Sequence, residues 1–409
     1  MPWKQRLLLI ILASINFTHI LDFMIMMPLG NKLMPYFHID LQQFSILISA
    51  YSISAGISSF TAAFIVDKYD RKKVLLIGYT GFIIGTACCA IAPTYPLLLT
   101  ARIAAGLFGG VIGGQVLSIV ADIFPYEKRA SAMGIVFAAF AIASGFGIPF
   151  SMYLASHISW HAPFIVISAL GIIIIAMVWR FIPPINTHLQ KGAADVKRSI
   201  KKVLYDLISV PKQRMGLLLS GFLMFGHFLV VAPLNPYLEF NFFLTDDQRT
   251  LVYLIGGIVV FISSPILGRF ADKYGKHKTF NLFALLSIIP IFLITNLPVA
   301  PYYYMLMITG VWFLLSSGRG IPAQAIISNV VEPQRRGSFM SFNSCVQQLF
   351  TGVASFLAGS IAQTTIHKKI IHYNWIGYIS IAVVFVCIWI ASKLNVAPSE
   401  ISSTRERKI

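Results

Sequence analysis

Apolar runs of bilayer length recur along the whole chain, and basic loops separate them at two points that repeat. A stretch of about 18–25 apolar residues crosses a hydrocarbon core. Such runs fall at about 7–30, 42–66, 74–92, 97–119, 131–154, 161–182, 215–238, 250–270, 279–297, 302–326, 338–362 and 372–393. Inside a bilayer only a helix satisfies its own backbone groups over that length. The expectation is therefore an all-α membrane protein with twelve transmembrane helices. The loop Val66-Asp67-Lys68-Tyr69-Asp70-Arg71-Lys72-Lys73 is echoed by Ala271-Asp272-Lys273-Tyr274-Gly275-Lys276-His277-Lys278, with Asp67 and Asp272 205 positions apart. A second loop, Pro125-Tyr126-Glu127-Lys128-Arg129-Ala130, is echoed by Pro333-Gln334-Arg335-Arg336-Gly337. Duplicated spans with basic loops at matching points imply two pseudo-symmetric six-helix bundles, the construction of many secondary transporters.

Composition excludes a soluble domain, because only 11% of the 409 residues are charged and 57% are hydrophobic. The net charge of +17 raises nucleic acid as a partner. Its distribution argues for membrane topology instead. With the N-terminus inside, the Lys and Arg left on the outer side are Lys32, Arg249, Lys368 and Lys369, and Arg102 and Arg319 fall within spans. The rest face the inner side, so both termini are expected in the cytoplasm of a plasma membrane or bacterial inner membrane. There the basic charge meets anionic lipid. The Lys4/Arg6 start leads directly into a full span, which serves as its own insertion signal. The four cysteines, Cys88, Cys89, Cys345 and Cys387, lie in apolar segments without metal-ligand spacing and read as small packing residues.

The boundaries expected are an N-terminal bundle at 1–182, a connection at 183–213, a C-terminal bundle at 214–393 and a tail at 394–409. In the connection, Asp195 is a helix cap. Ile200, Val203, Leu204, Leu207 and Ile208 form one apolar face against Lys197, Arg198, Lys201 and Lys202, which describes a short interfacial helix. A solvated linker helix is the alternative.

These motifs resemble those of the major facilitator superfamily over nearly the whole chain. The family writes the loop after the second span as G-x-x-x-D-R-x-G-R-K. Asp67, Arg71 and Lys72 match it, while Lys68, Ala63 and Asp70 depart from it. The second copy supplies Gly268, Asp272 and Gly275 with Lys273 and Lys276. The resemblance implies a gate. Asp67 would meet the positive N-terminal end of the eleventh span near Ser338, and neighbouring cations would pair with Asp122 and Glu127. The fourth span carries Arg102-Ile103-Ala104-Ala105-Gly106, then Gly109, Gly110, Gly113 and Gly114, like the family's intramembrane Arg motif. Glycines at this spacing admit close helix approach. Ser144-Gly145-Phe146-Gly147-Ile148-Pro149 in the fifth span resembles the Gly/Pro motif of the family's antiporters, without its contiguous Gly-Pro.

Ionisable residues within spans are expensive and mark function. At 1.5 Å per residue, Asp22 lies about 22 Å from the inner end of the first span and Arg102 about 9 Å below the outer end of the fourth. In a core about 30 Å thick these depths coincide. Asp22 and Arg102 are thus the expected proton-coupling pair. A carboxylate there takes up and releases a proton as its surroundings alternate between wet and dry. A permanent structural pair is the alternative reading. His19, three residues before Asp22, and His227 in the seventh span fall at equal counted depth and are candidate substrate-binding residues. Gln115, Asn343, Gln347 and Arg319 complete that candidate set, with Asn16, Gln324 and Gln348 as further polar contacts. Arg319 sits toward the inner end of its span, where snorkelling to the surface competes with a substrate role. Pro233 and Pro236 should bend the seventh span.

The function implied is proton-coupled, alternating-access efflux of a small amphipathic compound or sugar, resembling the drug:proton antiporter and sugar-efflux branch. Symport or facilitated uptake of a small polar metabolite is the alternative. Partners are a small-molecule substrate, protons and membrane lipid, with no nucleic acid, no cofactor and a monomeric state. An intramembrane enzyme or receptor is disfavoured because H-E-x-x-H, G-x-S-x-G and G-x-x-x-x-G-K-[ST] are all absent from the sequence.

Overall fold

The computed structural model describes residues 3–66, 69–124, 126–186, 209–298, 300–331, 336–365 and 369–394. The helices, in chain order, are α1 Trp3–Ile25, α2 Gly30–Phe37, α3 Leu41–Ile65, α4 Arg71–Ala90 and α5 Tyr95–Ile123. Then come α6 Tyr126–Ile142, a π-helical turn Ala143–Gly147, α7 Ile148–His157 and α8 Ala162–Phe181. The second half holds α9 Pro211–Val231, α10 Leu234–Phe242, α11 Asp246–Tyr274, α12 Lys276–Asn296, α13 Tyr302–Ser328, α14 Arg336–Ile361 and α15 Tyr373–Leu394. A short antiparallel hairpin, β1 Gln363–Thr364 and β2 Ile370–Ile371, joins the last two. Among the described residues, 10 helical stretches are long and apolar enough to cross a membrane. The tenth and eleventh expected spans are helical too, at 27 and 26 residues. The helices build two six-helix bundles. The interfacial helix expected after Asp195 lies outside the described residues.

The duplication goes deeper than the basic loops. Each half opens with a helix that breaks at a proline, Pro28 after α1 and Pro233 after α9. A short helix follows in each and ends on a left-handed residue, His38 (φ 53°) or Phe243 (φ 57°). Two residues on, a capping box starts the next helix. Gln43 N–H donates to the Asp40 carboxylate at 2.8 Å and Gln248 N–H to the Thr245 hydroxyl at 3.4 Å. Each glutamine side chain accepts in return from the cap backbone N–H. Proline, left-handed residue and cap all repeat at the same 205-residue interval as Asp67 and Asp272. The bend expected at Pro233 is thus a full interruption, and the first span, expected as one run to residue 30, breaks likewise.

Small residues bring the helices together. In the first half, a Cβ on Gly106 would stand 2.4 Å from the Tyr51 carbonyl oxygen and one on Gly110 2.2 Å from that of Ala55, so α5 lies directly on the α3 backbone. Ser59 Oγ adds a hydrogen bond to the Gly110 carbonyl at 2.6 Å. Between the halves, α3 and α14 run along each other. Gly359 meets Ser45, Gly352 meets Ile53, Gly56 meets Leu349, and Phe60 meets Phe342 edge-on at 5.7 Å. The second contact pairs the π turn with α11, where a Cβ on Gly257 would fall 2.3 Å from Gly145 Cα. Gly145 of the fifth-span motif therefore serves a backbone-to-backbone approach between the two bundles, whereas Gly147 leaves room for the Leu21 side chain of α1 in its own bundle.

Candidate functional site

The core of the first bundle holds a buried ion pair. Arg102 Nη1 on α5 donates to Asp22 Oδ2 on α1 at 2.8 Å, and both side chains have 0% exposure. The matched depth counted from sequence is thus a direct contact. The guanidinium also lies over the Tyr51 ring of α3, 4.3 Å from its centroid. Among the described residues, Asp22 Oδ1, Arg102 Nε and Nη2, His19 Nε2 and Tyr51 Oη are buried without a hydrogen-bond partner. A Cβ on Gly109 would lie 2.9 Å from Tyr51 Oη and 3.1 Å from His19 Nε2, so this glycine leaves both polar tips their room. Unsatisfied groups at that density are expensive in an apolar core. Sequence reasoning missed Tyr51; an isolated tyrosine in an apolar run gives no signal.

The matched depth counted for the two histidines is corrected. Asp22 precedes Pro28 by six positions, and so does His227 precede Pro233, so His227 occupies the place of Asp22 in the repeat and not that of His19. The counted depths were anchored on the first apolar residues of each span, whereas the breaks set the true register. His19 packs in its own half, edge-on to Phe82 at 5.5 Å. His227 stacks on Trp312 of α13 at 5.1 Å, with the planes 10° apart. The aromatic rings that meet across the halves at this level are Phe23 and Phe228, at 5.6 Å.

Arg319 does not snorkel. It is 4% exposed, and its Nη1 donates to Ser287 Oγ of α12 at 3.2 Å. Gln347 Nε2 donates to Ser220 Oγ at 2.8 Å, tying α14 to α9. Asn343 and Gln115 are buried, each with its side-chain carbonyl unpaired among the described residues. Asn16 Nδ2 donates to the Val136 carbonyl at 3.1 Å, Gln348 is half-buried, and Gln324 is exposed.

At the first basic loop, Arg71 Nε donates to Asp122 Oδ2 at 3.2 Å and Lys72 Nζ to the Trp179 carbonyl at 2.9 Å. The expected cation–acid pairing is present with Asp122. Asp67 and Lys68 lie outside the described residues, as does the Glu127 side chain. In the second copy, Asp272 is exposed, Gly268 has open space around it, and Gly275 caps α11 at φ 92°, a conformation that favours glycine.

The opposite end carries a polar network between the bundles that sequence reasoning did not single out. Lys32 of α2 pairs with Asp246 at the start of α11. Asn31 Nδ2 reaches Asp246 Oδ1 at 3.3 Å, and Asn235 Nδ2 of α10 reaches Asn31 Oδ1 at 3.1 Å. Asn235 also donates to the Pro28 carbonyl. Arg249, 2% exposed, joins Asp246, Glu239 at 3.0 Å and the Leu244 carbonyl at 2.8 Å. The two interrupted spans thus face each other and are latched by the residues around their breaks.

Comparison with known proteins places this architecture. The chain is similar to an uncharacterised MFS-type transporter, YceJ, of Bacillus subtilis (strain 168), 28% identical over 87% of this chain and 89% of the relative. It is similar to a probable sugar efflux transporter of Helicobacter pylori (strain G27), 24% identical over 62% of each. Among solved structures, a D-xylose-proton symporter superposes with a TM-score of 0.75 at 15% identity, covering 94% of this chain and 96% of that one. A bacterial homologue of the human lysosomal transporter Spinster, inward-facing and unoccupied, gives 0.72 at 14% identity over 97% and 100%. The sequence profile of the Major Facilitator Superfamily matches residues 12–322 and 217–408, so together with the two-bundle fold the chain belongs to that family of membrane transporters.

Proposed function

We propose that this transporter is a proton-coupled exporter of a small amphipathic compound or sugar, working by alternating access. The observation that carries the reading is the Asp22–Arg102 pair, fully buried and surrounded by unpaired polar atoms of His19 and Tyr51. Desolvation favours the neutral carboxyl and the guanidinium favours the carboxylate. Wetting and drying of this core as the bundles rock would therefore load and unload a proton. The likeness to a probable sugar efflux transporter supports export and a sugar-sized substrate. His19, His227, Gln115, Asn343, Gln347 and Arg319 are the substrate-facing candidates. The Lys32–Asp246 latch is the outer gate, closed here. Asp67, Arg71, Lys72, Gly268, Asp272 and Gly275 belong to the inner gate, with Asp67 acting on the first turn of α14.

The test is flux in proteoliposomes. A panel of labelled sugars and amphipathic dyes is followed while a proton gradient is imposed in each direction. An exporter moves substrate against the proton flow and reverses when the gradient is reversed. Movement with the protons would establish symport instead. Flux indifferent to the gradient, in the wild type and in Asp22→Asn alike, would remove Asp22 from coupling.

A further inference from the structure

Among the described residues four arginines are buried: Arg71, Arg102, Arg249 and Arg319. The first three each hold a carboxylate, Asp122, Asp22, and Glu239 with Asp246. Among the described residues, Arg319 holds only the Ser287 hydroxyl, and no carboxylate of its own bundle forms an ion pair with it. Asp22 is the buried acid among the described residues, and the repeat puts His227 at the corresponding place in the second half.

The neighbours of Arg319 tilt the same way. Trp312, Ser316 and Arg319 are spaced by four and three residues on α13, so they share one helix face. Trp312 Nε1 and Ser316 Oγ are both buried without a partner among the described residues. The Ser287 hydroxyl already donates to the Ala284 carbonyl at 2.7 Å, which leaves its lone pair for Arg319. An indole N–H, a hydroxyl and a guanidinium with five N–H donors thus share one helix face, with the indole N–H and the Ser316 hydroxyl unpartnered among the described residues and the guanidinium bonded to the Ser287 hydroxyl. The chemical complement of such a stripe is a group rich in acceptors and negative in charge. His227, stacked on Trp312, adds a flat aromatic ring beside the stripe.

We propose that α13 carries an anion site at Trp312, Ser316 and Arg319, which takes the carboxylate of an aromatic or similarly flat transported compound, or else a small inorganic anion. The assignment deepens the transporter reading and rests on it only for the word transported. Charge-assisted hydrogen bonds to Arg319 would supply most of the affinity, and the face of the His227–Trp312 pair would seat the body of the compound.

The experiment uses the purified full-length chain in detergent, with no proton gradient. Thermal midpoint and intrinsic fluorescence are titrated with sodium benzoate, with benzamide as the neutral counterpart of the same shape, and with sodium chloride. Benzoate should bind saturably and benzamide should not. Arg319→Gln should weaken benzoate about 10- to 100-fold, as loss of a charge-assisted hydrogen bond predicts, and Arg319→Lys should weaken it less. Trp312→Phe, which keeps the ring and removes the N–H, should weaken it several-fold and serves if Arg319→Gln does not fold. Saturable chloride binding lost in Arg319→Gln, without benzoate binding, would assign the same site to an inorganic anion. Benzoate and chloride responses that are absent in the wild type, or unchanged in Arg319→Lys and Trp312→Phe, would overturn the site. Anion binding that persists while proton-driven flux fails would refute the coupling and leave the site standing.

Discussion

Removing one partner of the Asp22–Arg102 pair should be far worse than removing both. At the observed 2.8 Å, Coulomb attraction is about 6 kcal/mol at an effective dielectric near 20. Desolvation of two fully buried charges takes back several kcal/mol. What remains asymmetric is the single mutant. Asp22→Asn strands a guanidinium and Arg102→Gln strands a carboxyl group, each expected to destabilise by about 3–5 kcal/mol. In the double variant neither charge remains, so it should lose less than either single variant, and the coupling in the cycle should exceed the cost of one single variant, about 3–5 kcal/mol. The assay is equilibrium unfolding in mixed micelles followed by far-UV circular dichroism, with proteoliposome flux measured on the same preparations. Asp22→Asn should lose proton-driven movement and keep downhill exchange. A double variant within about 0.5 kcal/mol of the sum of the two single variants would refute the idea of a mutually dependent buried pair.

At the opposite end, Asp246→Asn removes the carboxylate shared by Lys32 and Arg249, and cysteines placed beside Asn31 and Asn235 should label severalfold faster with a membrane-impermeant reagent; unchanged labelling would mean that the network does not latch the bundles. Gly110→Ala drives a Cβ to 2.2 Å from the Ala55 carbonyl oxygen, so α5 must move off α3, with a loss of about 2–3 kcal/mol or failure to fold, read as expression and thermal midpoint. Gly268→Ala, with open space around it, should not lower the same midpoint and should gain up to about 1 kcal/mol of helix propensity. Asp67→Asn should speed labelling at the inner end of the cavity, and unchanged labelling would reduce the loop to a topology signal.

The fold class was legible in the chain because bilayer physics leaves one solution for repeated apolar runs: helices whose backbone groups are paired within each span. The duplication was legible because the Asp67 and Asp272 loops must carry similar charge at similar places. Even the capping boxes stand in the sequence as Asp40 with Gln43 and Thr245 with Gln248, at the same interval. The pairing of Asp22 with Arg102 followed from depth alone, since two opposite charges inside an apolar core have few other partners. Side-chain facing did not follow. A miscount of three residues moves a side chain by most of a turn and about 4.5 Å, which is why His227 was matched with His19 when the breaks at Pro28 and Pro233 match it with Asp22. Nor did the sequence distinguish a snorkelling Arg319 from a buried one, because that depends on whether α9, α12 and α15 close around it. The latch of Lys32, Asn31, Asn235, Asp246 and Arg249 joins residues some 200 positions apart. Only packing of one bundle on the other brings those charges together, and local pattern carries no record of that encounter.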